Sequence, residues 1–188
     1  TRYDGYRFRV FKHDAADPMS IGNNFIRVLY EDADGLIWIG TNVGVYIYNP
    51  ETENFRKFDV ATERGDVISR EVSSIKCDSS GDLWIGVNWQ GVFRYDRRDE
   101  SLELYEPVPG DTTSLSSVHV WDLCFDGDGN LWVGSQNGGL DRYDRETDRF
   151  VRHRLKGLSD VSRIVLDKQN QLLLGTMKDG LFSFNPYM

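Results

Sequence analysis

The residues in this 188-residue sequence that could recognise a ligand are amides, cations and aromatic rings that interrupt an otherwise repetitive pattern. They are Arg27, Asn42, Arg70, Asn88, Trp89, Gln90, His119, Trp121, Gln136, Asn137 and Lys178. Amide and guanidinium groups offer donors and acceptors for hydroxyls or carboxylates, and the indoles of Trp89 and Trp121 can stack on the face of a sugar ring. These residue types predict a binding surface for an oligosaccharide or another small polar molecule.

Three of these residues also have a purely structural interpretation. Trp121 lies near the start of a predicted inner strand, where its ring could fill the space between two sheets. His119 could be structural or simply exposed. Trp89 falls in a predicted turn, where packing explains an indole less well. For each of the three residues the sequence leaves both interpretations open.

The sequence has none of the common catalytic or metal-binding motifs. Its histidines, His13, His119 and His153, lack the spacing of a zinc site such as H-E-x-x-H. There is no G-x-S-x-G elbow or phosphate-cradling loop. The segment 126–130, DGDGN, looks like part of a calcium loop, but the remaining EF-hand ligands are missing and a turn fits better. We therefore expect no enzyme activity, no cofactor and no metal for this segment.

Composition and charge exclude several classes of partner. No apolar run approaches the roughly 20 residues of a membrane span. The formal net charge of −8 argues against binding to a nucleic-acid backbone. Cys77 and Cys124 are too few for a disulfide framework, and the repeats place them on opposite faces of different sheets. We expect no nucleic-acid partner, no membrane contact by this segment and no disulfide.

A repeat of more than 40 residues defines the elements that must position the candidate residues. The segment 32–41, DADGLIWIGT, recurs as 78–87, DSSGDLWIGV, as 126–135, DGDGNLWVGS, and more faintly as 167–176, DKQNQLLLGT. The tryptophan position is spaced by 46, 48 and 41 residues. Propeller blades have similar periods of roughly 40–50 residues. The residues that we assign to packing are Trp38, Trp84, Trp132, Gly40, Gly86, Gly134 and Gly175.

Each copy of the repeat predicts four short antiparallel strands. An apolar strand ends at the aspartate, and a turn follows in which Gly or Asn170 accepts a left-handed conformation. The predicted third strands are 44–49, 91–96, 139–144 and 180–185. A polar hairpin and an outer strand complete each unit, and the charged residues Arg94, Arg97, Arg98, Asp99 and Glu100 predict a solvated hairpin. The fold class is therefore all-β, made of β-propeller blades that are four-stranded antiparallel sheets.

These repeats also divide the chain into domains. Residues 1–13 are assigned to the outer-strand remnant of a preceding blade, 14–60 to blade 1, 61–107 to blade 2, 108–154 to blade 3, and 155–188 to a blade 4 that lacks its outer strand. About four blades predict a partial propeller from a larger ring. Closure of a four-bladed ring, or pairing of two chains through open edges, is the alternative. The candidate residues fall on loops that share one face in propellers.

The pattern D-x-x-G-x-L/I-W-I/V-G-T/S, followed by G-G/V-L/V-x-R-Y-D, resembles the two-component regulator propeller repeat. Residues 2–8, 17–21 and 111–116 are similar to that family too, whereas Leu173 and Asn170 depart from its pattern in the fourth copy. The resemblance implies a seven-bladed propeller in the periplasmic sensor region of a hybrid histidine kinase that senses a carbohydrate-derived ligand. Other blades or a second protomer would complete the site. A diguanylate cyclase sensor, a protein-interaction scaffold and a propeller lyase or glycosidase are the alternatives.

Overall fold

The computed structural model of the protein describes residues 2–3, 5 and 8–187, and the described residues contain strands and turns but no helix. The strands are β1 (Arg2–Tyr3), β2 (Phe8–Arg9), β3 (Ile26–Glu31), β4 (Ile37–Thr41), β5 (Gly44–Asn49), β6 (Asn54–Lys57), β7 (Val72–Cys77), β8 (Leu83–Val87), β9 (Gly91–Asp96), β10 (Ser101–Tyr105), β11 (Val120–Phe125), β12 (Leu131–Ser135), β13 (Gly139–Asp144), β14 (Arg149–His153), β15 (Arg163–Leu166), β16 (Leu172–Gly175) and β17 (Leu181–Phe184). The part of the chain that is described has no helix long and apolar enough to cross a bilayer.

The strands form consecutive antiparallel sheets. Blade 1 consists of β3–β6, blade 2 of β7–β10, blade 3 of β11–β14, and the three-stranded blade 4 of β15–β17. Strands β1 and β2 form a separate hairpin. The predicted all-β fold of four-stranded antiparallel sheets is confirmed. In blade 4 the third strand spans Leu181–Phe184 and is shorter than the predicted 180–185.

The repeated tryptophan and aspartate form one hydrogen-bonded unit. In blades 1–3 the indole N–H donates to the aspartate Oδ2, in the pairs Trp38–Asp32 at 2.8 Å, Trp84–Asp78 at 3.1 Å and Trp132–Asp126 at 2.8 Å. The other carboxylate oxygen accepts two backbone N–H groups of the turn, for example those of Ser80 and Asp82. The aspartate therefore holds both the turn and the indole, which places all three tryptophans equivalently in their sheets.

The core lies between the blades and not within any one of them. Trp38 is buried together with Val72 and Ile75 of blade 2, and Trp84 and Trp132 lie in the same way against the next blade. The repeated glycine of β4 allows this close stacking, since a Cβ on Gly40 would lie 2.6 Å from Val72 Cγ1. Within the described residues, the extensive strand contacts between sheets join consecutive blades only, so the four blades form an open arc.

The outer hairpins are not simply solvated, which corrects the sequence-based expectation for Arg97. Its guanidinium leaves blade 2 and reaches the turn of blade 1, 2.6 Å from Asp34 Oδ2 and 3.2 Å from Asp32 Oδ2. Arg145 of blade 3 binds Asp78 of blade 2 in the same way at 2.6 Å. The expectation was wrong because the hairpin projects over the neighbouring blade, where a buried carboxylate attracts the cation.

Candidate functional site

The strand register brings the candidate residues to one face of the arc. Residue Ile26 pairs with Thr41, Val72 with Val87, and Val120 with Ser135, so the start of each inner strand lies beside the loop that follows the second strand. Those loops are 42–43, 88–90, 136–138 and 176–180. We call the surface formed by these loops and the adjoining inner-strand starts the loop face.

A bulge in the inner strands of blades 1–3 turns single residues toward this face. The register shifts at Arg27, Ser73 and Trp121, and a bulge of this kind re-aims the side chain of the extra residue. The Arg27 guanidinium donates to Asn42 Oδ1 at 2.7 Å and to Glu71 Oε2 at 3.0 Å. The structure therefore brings Arg27 and Asn42 together, and Arg27 also binds Glu71 of blade 2.

The centre of the loop face is a contact between blades 2 and 3. Trp89 and His119 meet edge to face with ring centroids 4.0 Å apart, and His119 Nδ1 lies 3.2 Å from Asn88 Oδ1. The backbone N–H of Trp89 donates to the carbonyl oxygen of Val118 at 2.9 Å. An exposed indole, an imidazole and an amide thus converge, which is the chemistry that a polar ring-shaped ligand requires.

Trp89 has an unusual backbone conformation. Its φ angle is +71°, in the left-handed region that bulky side chains rarely occupy. The corresponding loop residue in blade 3 is Asn137, with φ +58°, and asparagine tolerates this region well. The Trp89 indole is 64% exposed, so packing does not account for a tryptophan at a position that suits asparagine. Strain of this kind is typical of functional sites.

The remaining candidate residues lie on the same face, around the Trp89–His119 contact. Gln90 bonds the backbone of blade 2, accepting from Ser69 N at 3.0 Å and donating to Val67 O at 2.9 Å. The backbone N–H of Gln136 donates to His119 O at 3.0 Å. Arg70, Asn137 and Lys178 are exposed, and Trp121 is half-buried at its bulge.

Sequence reasoning missed two residues that shape this face, Glu71 and Asp141. Glu71 is the carboxylate partner of Arg27. In the sequence, its role was indicated only by its position next to the candidate residue Arg70, just before β7. Asp141 is fully buried in β13, at a position that is aromatic in the other blades, namely Tyr46, Phe93 and Phe182. Asp141 breaks the repeat as clearly as the residues that were selected, but it lies inside a strand and not in a loop.

The loop face consists of exposed and half-buried side chains around the Trp89–His119 contact. A cavity of about 530 Å³ lies at the other end of blade 3, where its lining includes Asp128, Arg142 and Tyr143. Among the described residues, no group of three or more His, Cys, Asp or Glu side chains is arranged to hold a metal ion. The chemistry available at the loop face is hydrogen bonding and stacking.

Comparison with known proteins identifies the repeats. The family model for the two component regulator propeller matches residues 20–43 and 114–137. Among solved structures, the chain is similar to BT3049 of B. thetaiotaomicron, described as the extracellular domain of a hybrid two component system, with 25% identity and a TM-score of 0.82. The match covers 97% of this chain and 25% of that chain. Among curated proteins, none matches the sequence.

Two further structures show the fold alone. The extracellular domain of BT4673 from B. thetaiotaomicron is 24% identical with a TM-score of 0.75, over 88% of this chain and 23% of that chain. Virginiamycin B lyase from Staphylococcus aureus is 14% identical with a TM-score of 0.62, over 86% of this chain and 55% of that chain. The chain spans about a quarter of the two extracellular domains. The predicted β-propeller fold and the resemblance to two-component regulator propeller repeats are confirmed.

Proposed function

Because the chain carries two-component regulator propeller repeats, we propose that it is a ligand-sensing segment of a hybrid two-component signalling protein and that it lies in the periplasm. Its loop face binds a carbohydrate-derived ligand around Trp89 and His119, without catalysing a reaction. The similarity to the extracellular domain of BT3049 supports the sensor role and the extracytoplasmic location.

The observation that carries the ligand proposal is the exposed indole of Trp89, held at φ +71° against His119. A flat aromatic face beside amide groups matches a sugar ring, which has an apolar face and a rim of hydroxyls. Arg27 and Asn42 supply further polar groups on the same surface. The open arc also supports completion of the site by other blades or by a second protomer.

Calorimetric titration of the full extracytoplasmic region with a panel of plant and host oligosaccharides tests this proposal. We expect one class of oligosaccharide to bind saturably, and Trp89→Ala to weaken that binding by at least about tenfold, because an exposed aromatic anchor is lost. Val151→Ala is the control, since Val151 is also an exposed apolar residue but lies in the outer strand β14, outside the loop face. Binding that is unchanged in Trp89→Ala, or absent for every oligosaccharide, would contradict the proposal.

A further inference from the structure

The loop that leads into β11 is held by two charged side chains from adjacent strands. Asp141 of β13 and Arg152 of β14 are direct cross-strand partners. The Asp141 carboxylate accepts from the backbone N–H of Ser116 at 2.9 Å and from its hydroxyl at 2.6 Å. The Arg152 guanidinium donates to the carbonyl oxygens of Ser114 and Leu115, at 3.0 and 3.2 Å. The acid thus binds the donors of this loop, and the guanidinium binds its acceptors.

In blade 1 an aromatic ring packs on the corresponding loop in place of the carboxylate. Tyr46 occupies the position of Asp141, and its ring fills the space that a Cβ on Gly22 would need. Gly22 occupies the position of Ser116. The two blades therefore differ at both positions: blade 1 has a glycine under an aromatic ring, and blade 3 has a serine bonded to a carboxylate.

The buried carboxylate of Asp141 is unfavourable for the stability of blade 3. Asp141 is fully buried, and no donor among the described residues reaches its Oδ1. Burial raises the pKa of this carboxyl, against the hydrogen bonds from Ser116 that lower it. A buried carboxylate with an unsatisfied oxygen is unfavourable compared with an aromatic ring at the same position. Stability alone therefore does not explain Asp141.

The loop that Asp141 holds leads directly to the candidate site. Two residues after Ser116, the carbonyl oxygen of Val118 accepts the backbone N–H of Trp89. The next residue, His119, contacts the Trp89 ring, and its carbonyl oxygen accepts the N–H of Gln136. The position of this short segment therefore sets the positions of both rings.

We propose that Asp141 is a positioning residue for the Trp89–His119 pair. It acts through Ser116, and Arg152 fixes the preceding part of the same loop. The importance of this role for ligand binding rests on the proposed function, whereas the positioning itself is a property of the protein without ligand.

Hydrogen exchange of the ligand-free protein tests the positioning in Asp141→Asn. Both Ser116 donors bind Oδ2 of Asp141, and an asparagine of the same size keeps one oxygen there but carries no charge, so both hydrogen bonds become weaker. We expect the backbone amides of Trp89 and Gln136 to exchange at least about tenfold faster, because their acceptors lie on the loosened loop. Asp82→Asn is the matched control, since Asp82 is a buried acid paired with Arg94 at the other end of blade 2.

Ser116→Ala is a milder second variant, because it removes the hydroxyl donor and keeps the backbone bond to Asp141. It should accelerate the same two amides by a smaller factor. Unchanged exchange at Trp89 and Gln136, or equal acceleration throughout β8 and β12, would overturn the proposal, since the latter is the response to general destabilisation.

Titration with the oligosaccharide panel separates the two proposals. If no oligosaccharide binds while Asp141→Asn still accelerates the two amides, the carbohydrate ligand is wrong and the positioning stands. If a ligand binds through Trp89 and Asp141→Asn exchanges like the unmodified protein, the positioning is wrong and the ligand stands.

Discussion

Single residues connect the blades as well as fill the space between them. The carboxylate of Asp78 accepts from Trp84 of its own blade and from Arg145 of the next blade. Proline occupies the position of Arg145 in blades 1 and 4, at Pro50 and Pro186. The arginine contact therefore joins blade 1 to blade 2 and blade 2 to blade 3. In blade 3, Asp126 accepts instead from the side-chain amide of Asn130 in the same turn.

Removing this arginine should destabilise the protein. We expect Arg145→Met to lower the free energy of unfolding by about 1–2 kcal/mol, because it removes a charge-assisted hydrogen bond to a buried carboxylate. The effect lies at the low end of the usual range because the arginine donor is partly exposed. Arg98→Met should change it by less than about 0.5 kcal/mol, since Arg98 pairs with Asp96 in an exposed hairpin. Urea denaturation measures both values, and equal effects of the two substitutions would contradict the role of Arg145.

The Asp78 carboxylate makes the stability of the protein depend on pH. Burial raises the pKa of Asp78, but the hydrogen bonds from Trp84, Arg145 and the turn outweigh it and hold the pKa below its ordinary value of 3.8. The folded state then binds a proton less readily than the unfolded state. The stabilisation is present above pH 3.8 and is lost as the pH falls through the lower folded pKa. Asp78→Asn should reduce the loss of thermal stability on acidification below pH 4, and an unchanged acid profile would contradict this linkage.

At the scale of strands, the repeated glycine sets how closely two blades approach. A Cβ on Gly40 would clash with Val28 Cγ1 of its own blade and would lie 2.6 Å from Val72 Cγ1 of the next blade, whereas at Gly175 the nearest atom would be Arg163 Cβ at 3.7 Å. We expect Gly40→Ala to destabilise the protein by about 1–3 kcal/mol through overpacking, as measured by urea denaturation.

Gly175→Ala is the matched control for this substitution, because the residue and strand position are the same and both neighbouring valines, Val28 and Val72, have no counterpart there. We expect it to change the free energy of unfolding by less than about 0.5 kcal/mol. If both alanines cost the same, the intrinsic preference of the strand position, and not the packing against Val28 and Val72, determines the need for glycine.

The strands could be predicted from the sequence because local signals agree with the fold. The predicted third strands of blades 1–3 coincide with β5, β9 and β13, since glycine begins each strand and asparagine or aspartate ends it. The contacts of Arg97 could not be predicted, because its partners lie 63 and 65 positions away along the chain and charged hairpin residues usually face solvent.

From the sequence, only the loops that form the candidate site could be predicted, and not the contacts between them. The turn containing Trp89 follows from the repeat, but its left-handed backbone does not, because tryptophan carries no preference for that region. The link from Asp141 to Trp89 passes through Ser116 and Val118, in a loop of blade 3 whose path depends on the packing of three strands. Such a link becomes visible only in three dimensions.

For the whole molecule, the two ends of the arc are unlike its interior. The position of Leu29 in blade 1 corresponds to Ile75, Leu123 and Ile164 in the following blades. Leu29 is 64% exposed, whereas those three side chains are at most 6% exposed, because each lies against the preceding blade. At the opposite end, Leu181 of blade 4 is 73% exposed. Both ends therefore present the apolar surfaces that blades use to stack.

These end surfaces should make the 188-residue chain associate head to tail, since the apolar surface at one end of the arc complements the surface at the other end. A contact of this kind can repeat from chain to chain without forming a closed assembly. Light scattering should show a mass that rises with concentration, and Leu29→Glu should return it to that of a monomer because a charge cannot be buried unpaired. Val108→Glu, in an exposed connection between blades 2 and 3, should associate like the unmodified chain. A monomer at every concentration, or association that persists in Leu29→Glu, would show that the ends are not stacking surfaces.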